Sequence, residues 1–475
     1  MTTQTRNPPL RIALLAGLGL TLAGRVTAQT YATLHSFTNS DGAHPLSVVI
    51  LSGNKLYGTT SSGGANGGGI VNGGGIVFAV NTNGTGFTNL HSFNFRIGDG
   101  YNPRAGLVLS GNTLYGTTQG GGSAHDGIVF AVNTDGSSYT NLHTFTGGDG
   151  NNPYAGLILS GNTLYGTTRN GGSSGYGTVF AINTNGTGFT NLYSFTAESQ
   201  STFTNTDGAN PQAGLVLSGN TLFGTTVGAG YYTRGTVFAV NIDGTGFTNL
   251  HNFIFSDGAS PSAGLILSGI TLYGVAGDGG SSSSGTVFAI NTNGMGFTNL
   301  YDFTALANNT NTDGMHPAGA LTLSGSTLYG VASAGGYFTR GTVFAINTNG
   351  TGFANLHNFT PLSGPLLTNS DGAAPSAGLI LSGNALYGTA DNGGSSDDGT
   401  VFSLSFPVLQ LAITHFGTNV IVTWPTNFPG FTLLSATNLV SPAVWITNSP
   451  APVVVNGQNT VTNPISGKKF YRLSE

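Results

Sequence analysis

Short apolar stretches alternate with runs of glycine, serine, threonine and asparagine along almost the whole chain. In residues 155–195 this alternation predicts four strands, A to D, at 155–159, 163–168, 178–182 and 189–195. Gly161-Asn162 and Asn185-Gly186 lie between strands, and both residue types tolerate the positive φ of tight hairpin turns. We therefore predict four antiparallel strands in this stretch.

The same pattern occurs seven times, at intervals of 50 to 58 residues. Each copy contains D-G-x-x-P, a stretch like A-G-L-x-L-S-G-N-T-L-Y-G-T-T, a glycine-rich loop and a stretch like G-T-V-F-A-I-N-T-N-G. The Asp-Gly pairs begin at Asp41, Asp99, Asp149, Asp207, Asp257, Asp313 and Asp371. A repeat of this length made of short strands indicates a propeller or a solenoid, and seven four-stranded copies favour a propeller.

The two ends of the repeated region point to a closed ring. Residues 31–37 have the pattern of a strand D but precede the first strand A, and the seventh copy ends at 402–406 without a strand D. The N-terminal strand can complete the last blade, which would remove the exposed sheet edges. The predicted fold is therefore all-β, a seven-bladed β-propeller over residues 29–406 that is closed by its N-terminal strand.

The motifs L-Y-G-T-T, G-T-V-F-A-I-N and F-T-N-L-H-S-F resemble the GloVer tandem-repeat (choice-of-anchor) proteins, a bacterial extracellular repeat family. The resemblance covers residues 31–406, with mild departures at 273–276, 329–332 and 387–390. It implies a cell-surface or secreted setting and brings no catalytic residues with it.

Residues 407–475 lack the repeat and contain both tryptophans, Trp424 and Trp445. Alternating stretches predict strands at 409–416, 419–424, 431–435 and 470–473. The run Val420-Ile421-Val422-Thr423-Trp424-Pro425 resembles the second strand of a fibronectin type III module. That resemblance implies a small C-terminal β-sandwich, which would serve as a spacer or a surface-anchoring module.

The first 28 residues predict a secretory signal peptide. Arg6 and Arg11 precede an apolar run at 12–23, and Val26-Thr27-Ala28 forms a small-residue cleavage site. The apolar run is too short to cross a membrane, and no second run of about 18 apolar residues follows. We therefore expect a secreted or cell-surface protein without a membrane span.

Charge and cysteine content narrow the classes of partner. The chain contains no cysteine and has a formal net charge of −5, with only 6% of its residues charged. A mildly acidic surface argues against nucleic acid, which requires basic patches. We expect a monomer whose partner is an extracellular glycan or a surface protein.

In a propeller the B–C and D–A loops lie on one face, and here these loops vary in length and content while the opposite turns barely change. Variable loops on a rigid scaffold are where binding usually occurs. The candidate ligand-binding residues there are Tyr101, Arg104, Tyr154, Arg169, Tyr176, Tyr231, Tyr232, Arg234, Tyr337 and Arg340. Aromatic rings beside arginine, aspartate and asparagine would suit a glycan, and ordinary solvated loop residues are the alternative.

The seven Asp-Gly pairs have two interpretations. A ring of carboxylates could bind calcium, and Asn309-x-Asn311-x-Asp313-Gly314 resembles the first half of a calcium loop, but position 320 is alanine instead of the closing glutamate. Aspartate also stabilises turns by accepting backbone N–H groups two residues on, with Gly and Pro as turn formers. Because every copy uses the aspartate identically, we predict structural turns, no cofactor and no metal.

Two further positions bear on chemistry. One strand D position is histidine in five copies and tyrosine in the other two, which favours packing over metal ligation. The residues are His35, His91, His143, His251 and His357, with Tyr193 and Tyr301.

Only two glutamates exist, so a carbohydrate-active enzyme would have to use Asp126, Asp278 or Asp398 with a loop tyrosine. The favoured function is a non-catalytic binding or adhesion scaffold; the enzyme and a structural surface spacer are the alternatives.

Overall fold

The computed structural model describes residues 29–474 except 65–72, 95–97, 309, 409, 426–430, 440–442 and 456–457. The predicted signal peptide and most of the glycine-rich insertion of the first copy lie outside the described residues. All regular elements in the described part are β-strands, which confirms the all-β prediction. That part contains no helix with the length and apolarity needed to cross a membrane.

Residues 30–405 form seven four-stranded antiparallel sheets, numbered here by the copy that supplies their first strand. After β1 (Thr30–Ser36), sheet 1 contains β2 (Ile50–Ser52), β3 (Lys55–Thr60), β4 (Ile76–Asn81) and β5 (Thr88–Ser92). Sheet 2 contains β6 (Val108–Ser110), β7 (Thr113–Thr118), β8 (Ile128–Asn133) and β9 (Thr140–Thr144). Sheet 3 contains β10 (Ile158–Ser160), β11 (Thr163–Thr168), β12 (Thr178–Asn183) and β13 (Thr190–Ser194). Sheet 4 contains β14 (Val216–Ser218), β15 (Thr221–Thr226), β16 (Thr236–Asn241) and β17 (Thr248–Asn252).

Sheet 5 contains β18 (Ile266–Ser268), β19 (Thr271–Ala276), β20 (Thr286–Asn291) and β21 (Thr298–Asp302). Sheet 6 contains β22 (Met315–Ser324), β23 (Thr327–Ala334), β24 (Thr342–Asn347) and β25 (Ala354–Asn358). Sheet 7 contains β26 (Ile380–Ser382), β27 (Ala385–Ala390) and β28 (Thr400–Ser405), with β1 as its fourth strand. The long β22 distinguishes sheet 6, because the first strand has only three residues in each of the other sheets.

The N-terminal strand completes the last sheet, as the ends of the repeat predict. β1 pairs antiparallel with β28, from Thr30 opposite Ser405 to Ser36 opposite Thr400, with a register shift between Thr33 and His35. A register shift also occurs between the third and fourth strands of sheets 1 to 6. β1 therefore has the geometry of an ordinary fourth strand.

The prediction for strand A was wrong in its extent. It placed the strand at 155–159, whereas β10 begins at Ile158. Residues 155 to 157 contact the neighbouring sheet instead: the Thr117 hydroxyl donates to the carbonyl of Ala155 at 3.2 Å, and Leu157 packs in the core shared with sheet 2. The apolar character of this segment therefore reflects contact between sheets and not pairing within one sheet.

Seven apolar clusters join consecutive sheets, and one of them joins sheet 7 to sheet 1. In that cluster Phe37 and Val401 pack against Val49, Leu56 and Phe78, all completely buried. Burying a phenylalanine side chain contributes about 1.5–3 kcal/mol, so each junction has a substantial core. The seven sheets contact one another in cyclic order.

The sheets approach most closely at the A-G-L segments that precede the first strands. A Cβ atom on Gly156 would lie 3.1 Å from the carbonyl oxygen of Gly106, and one on Gly378 would lie 2.7 Å from that of Ala320. Gly214 and Gly264 continue the same series of backbone contacts. Val48 and Ala320 occupy the same position in the first and sixth copies and contact Gly106 and Gly264. The series of contacts thus runs through all seven copies, and these segments lie where the seven sheets converge, at the centre of their cyclic arrangement.

The C-terminal residues form two smaller antiparallel sheets, one with strand order β29-β30-β34-β33 and one with β32-β31-β35. The strands are β29 (Ala412–Phe416), β30 (Asn419–Pro425), β31 (Thr432–Ala436), β32 (Ile446–Thr447), β33 (Val453–Val455), β34 (Gln458–Pro464) and β35 (Phe470–Ser474). Val422, Trp424 and Val461 of the first sheet pack with Leu433 of the second in a small core. Four of these strands lie close to the predicted positions, and the sequence reading missed β32, β33 and β34.

Candidate functional site

The aspartate of every Asp-Gly pair is held by a side chain of the preceding strand. The Asp carboxylate lies 2.8–3.1 Å from the imidazole Nε2 of a histidine or the hydroxyl of a tyrosine. The pairs are His35–Asp41, His91–Asp99, His143–Asp149, Tyr193–Asp207, His251–Asp257, Tyr301–Asp313 and His357–Asp371. Each carboxylate therefore has a side-chain partner in the fold.

A backbone N–H also donates to each of these carboxylates, but from the residues before the aspartate. The N–H of Thr38 bonds Asp41 at 2.8 Å, and the N–H of Thr196 bonds Asp207 at 2.8 Å. The sequence analysis predicted that the N–H group two residues after the aspartate would donate. The donor instead precedes the aspartate in the chain. Burial raises the pKa of Asp41, but the hydrogen bonds from His35 and Thr38 outweigh it and lower the pKa below its ordinary value.

The histidine or tyrosine of each pair also stacks on an aromatic ring of the next sheet. His143 stacks on Phe189 at 3.7 Å between ring centroids, and Tyr193 stacks on Phe247 at 3.9 Å. The series ends with His357 of sheet 6 on Tyr31 of β1, at 4.1 Å. These side chains thus form junctions between sheets. Burial is the main cause that lowers the pKa of His143, against the opposing effect of Asp149.

The segment around Asp313 that resembles half of a calcium loop is also held by hydrogen bonds to other parts of the fold. Position 309 lies outside the described residues. The Asn311 side chain donates to the carbonyls of Thr304 and Gly314 and accepts the N–H of Gly336 at 2.7 Å. Across the described residues, no three or more His, Asp or Glu side chains form a group that could hold a metal ion.

A cavity of about 760 Å³ opens where sheets 7, 1 and 2 meet on the variable-loop face. Its lining residues are His44, Leu46, Ser61, Ser62, Gly73, Gly74, Tyr101, Asn102, Arg104, His125, Asp391 and Asn392. His44 Nδ1 lies 3.2 Å from the backbone carbonyl of Asp391 and 3.3 Å from its carboxylate, and the interaction with this carboxylate is the main cause that raises the pKa of His44. The cavity thus combines an aromatic ring with hydroxyl, amide, imidazole and guanidinium groups.

Two elements of the repeat position these groups. Tyr101 and Asn102 are the variable residues of D-G-x-x-P, and the ring of Tyr101 lies directly over Gly120 of the adjacent loop. Asn102 has a φ of 61°, in the left-handed region that asparagine tolerates, and its amide donates to Gln119 at 2.6 Å. The local fold therefore fixes both side chains before any ligand arrives.

Arg104, Tyr154 and Arg169 form a second group beside this cavity. The guanidinium carbons of Arg104 and Arg169 lie 5.3 and 5.4 Å from the ring centroid of Tyr154. Arg104 Nε bonds Asn102 at 3.4 Å, whereas the buried Nε of Arg169 finds no hydrogen-bond acceptor among the described residues. A cation at either position is stabilised by the face of the ring.

Two further loops present exposed aromatic pairs with the same sequence pattern, Y-[YF]-T-R-G. Tyr231 and Tyr337 are 69% and 67% exposed, and each meets its neighbour, Tyr232 or Phe338, edge to face at 4.9 Å. The N–H of Tyr231 is held by Asn252 at the end of β17, at the outer strand of sheet 4. Arg234 covers Phe255 at 5.0 Å, and Arg340 lines a separate cavity of about 390 Å³.

The remaining predicted residues do not line the large cavity, although the backbone carbonyl of Asp398 accepts the N–H of His44 at 2.9 Å. Tyr176 packs against the core between sheets 3 and 4. Asp126 accepts a hydrogen bond from Asn151 at 2.5 Å, and Asp278 pairs with His316 at 3.1 Å. Burial is the main cause that raises the pKa of Asp398. These three carboxylates belong to loops of sheets 2, 5 and 7.

The ten predicted ligand residues therefore divide among several places. The structure brings Tyr101 and Arg104 into the large cavity, with Tyr154 and Arg169 next to Arg104, and leaves the other six elsewhere. Sequence reasoning missed Asn102, Ser61, Ser62 and Asn392 as lining residues. The signal that could have found them is sequence variation at fixed positions of the repeat. The residue after the proline of D-G-x-x-P, for example, differs among the copies: Leu46, Arg104, Tyr154, Gln212, Ser262, Ala318 and Ser376.

The chain is similar to a known repeat family. The model of the Gloeobacter/Verrucomicrobia repeat matches residues 19–202 and again residues 197–402, which confirms the resemblance of the repeat motifs. The resemblance of the tail to fibronectin type III is not confirmed, and the tail lies beyond the match. No curated protein matches the chain.

Two solved structures are similar at the level of the fold. A quinohemoprotein alcohol dehydrogenase from Comamonas testosteroni is 11% identical with a TM-score of 0.50, over 84% of this chain and 81% of that one. An oligogalacturonate lyase from Vibrio parahaemolyticus is 10% identical with a TM-score of 0.45, over 80% of this chain and 97% of that one. The first similarity supports a β-propeller-like fold.

Proposed function

The chain belongs to the Gloeobacter/Verrucomicrobia repeat family, and from that premise we propose that it is a secreted or cell-surface, non-catalytic scaffold that binds a glycan. The scaffold is a monomeric seven-bladed propeller closed by β1, followed by a small β-sandwich module. The cyclic contacts between the seven sheets support the propeller, and the shared core of the two C-terminal sheets supports the sandwich. The sequence of residues 1–28 supports export.

The single observation that carries the binding function is the 760 Å³ cavity on the variable-loop face. Its volume lies in the range of small-molecule sites. Saccharides bind through apolar ring faces and many hydroxyl groups, and the cavity offers the Tyr101 ring together with the amides of Asn102 and Asn392 and the hydroxyls of Ser61 and Ser62. A site of this composition orients a polar ligand by hydrogen bonds around one aromatic contact.

Binding to a panel of neutral and acidic polysaccharides tests this function, with the full chain, its Tyr101→Ala variant and a Phe416→Ala control. Phe416 is 72% exposed in the C-terminal region and does not line the cavity. We expect at least one polysaccharide to bind, with affinity about 10-fold lower for Tyr101→Ala, or about 1.4 kcal/mol, and unchanged for the control. No binding to any polysaccharide, or equal binding by both variants, would contradict the proposal and leave a structural spacer.

A further inference from the structure

Two arginines at the centre of the ring lack a carboxylate partner. Arg104 and Arg169 both lie over the ring of Tyr154, at 5.3 and 5.4 Å, and neither forms an ion pair with any described carboxylate. Both side chains are half-buried. A half-buried guanidinium normally finds an anionic or carbonyl acceptor. Arg104 has only the weak 3.4 Å bond from its Nε to Asn102, and the buried Nε of Arg169 has no acceptor among the described residues, so the pair marks a place for a ligand group.

Two carboxylates of the surrounding loops are already engaged. Asp391, on the cavity wall, pairs with His44, and Asp126 accepts the amide of Asn151. The undescribed segment 65–72 contains no acidic residue in its sequence. Among the described residues, no carboxylate therefore lies within ion-pair distance of either arginine.

The position of the pair ties it to the proposed binding site. Arg104 lines the large cavity, and it directly precedes Ala105-Gly106, one of the segments at the centre of the ring. Tyr154 occupies the same repeat position in sheet 3, directly before Ala155-Gly156. The other copies carry Leu46, Gln212, Ser262, Ala318 and Ser376 there. The positive charge is thus confined to one side of the ring centre, beside the cavity.

We infer that the ligand of the cavity is an acidic saccharide, whose carboxylate or sulfate group is bound by Arg104 and Arg169. This inference rests on the proposed saccharide-binding function and adds the charge of the ligand. A guanidinium presents five N–H donors in a flat fork that fits two oxygen atoms of an oxyanion. The contacts with Tyr154 hold both guanidinium groups beside the cavity, and Tyr101 contacts the sugar ring.

Equilibrium binding at low salt tests the inference with two matched pairs of polymers. Alginate is compared with its uncharged propylene glycol ester, and dextran sulfate with dextran. The proteins are the full chain, Arg104→Gln/Arg169→Gln, Arg104→Lys/Arg169→Lys, Tyr101→Ala, and a Lys55→Gln/Lys469→Gln control that also removes two positive charges. Melting temperatures within about 2 °C of the parent show that a variant is folded.

We expect the parent to bind one acidic polymer at least about 10-fold more tightly than its neutral partner. The glutamine variant should lose that preference, the lysine variant should keep part of it, and the control should keep all of it. A preference for alginate assigns a carboxylate and one for dextran sulfate assigns a sulfate. Equal binding of acidic and neutral polymers, still weakened by Tyr101→Ala, would overturn the inference but keep the proposed function. No binding to any polymer would overturn both.

Discussion

A histidine and a tyrosine can replace each other beside the Asp-Gly turns because each donates one hydrogen bond to the carboxylate and stacks on the next sheet. His251 and Tyr301 show this equivalence, at 3.1 Å from Asp257 and 2.9 Å from Asp313. Their stacking distances, to Phe297 and Phe353, are 3.8 and 4.0 Å. The exchange of histidine for tyrosine was visible in the sequence. The aspartate to which these side chains bond was not, because nothing in the spacing connects strand D to the aspartate that follows.

The hydrogen bond and the stacking can be separated at His251. The substitution His251→Phe keeps an aromatic ring on Phe297 but removes the donor to Asp257, so we expect the free energy of unfolding to fall by about 1–2 kcal/mol. His251→Tyr should stay within about 0.5 kcal/mol of the parent, because tyrosine fills this position in sheets 3 and 5. Urea unfolding measures both, and equal stability of the two variants would show that only the ring matters.

At the scale of the element, the second of the four strands predicted for residues 155–195 was predicted best. Residues 163–168 form β11 with the predicted bounds, because the turn residues and the alternating apolar positions agree there. The first threonine of L-Y-G-T-T has a role that the sequence did not reveal. In sheets 1, 2, 3, 4 and 7 its hydroxyl donates to a carbonyl of the next sheet. Val275 and Val331 replace it in sheets 5 and 6.

The substitution Thr225→Val tests this junction with almost no change in shape. The Thr225 hydroxyl is buried and donates to the carbonyl of Pro261 at 2.8 Å. Its loss leaves a buried carbonyl without that donor, so we expect about 1–2 kcal/mol of destabilisation in urea unfolding. The control Thr248→Val, at an exposed position of β17, should change stability by less than about 0.5 kcal/mol. Equal effects would contradict a role for the hydroxyl.

At the scale of the whole molecule, the large cavity depends on the contact between sheets 7, 1 and 2. Its wall takes Asp391 and Asn392 from sheet 7, His44 from the loop before sheet 1, and Tyr101 and His125 from sheet 2. The repeat and the displaced first strand could be predicted from the sequence because both are local patterns. The convergence of these loop residues could not, because it depends on how distant copies meet around the ring.

Because the chain has no cysteine, closure can be tested with an introduced disulfide. Ala32 of β1 lies directly opposite Ser403 of β28, and opposed residues in antiparallel strands have Cα separations of about 4.5–5.5 Å, within disulfide range. Intact mass and non-reducing electrophoresis of the Ala32→Cys/Ser403→Cys variant, at low protein concentration, measure the bond. The control is Ala32→Cys/Ser382→Cys, whose second position lies on β26 at the far side of the sheet. A closed ring predicts a complete intramolecular disulfide in the first variant and free thiols in the control, whereas free thiols or only intermolecular disulfides in the first variant would contradict it.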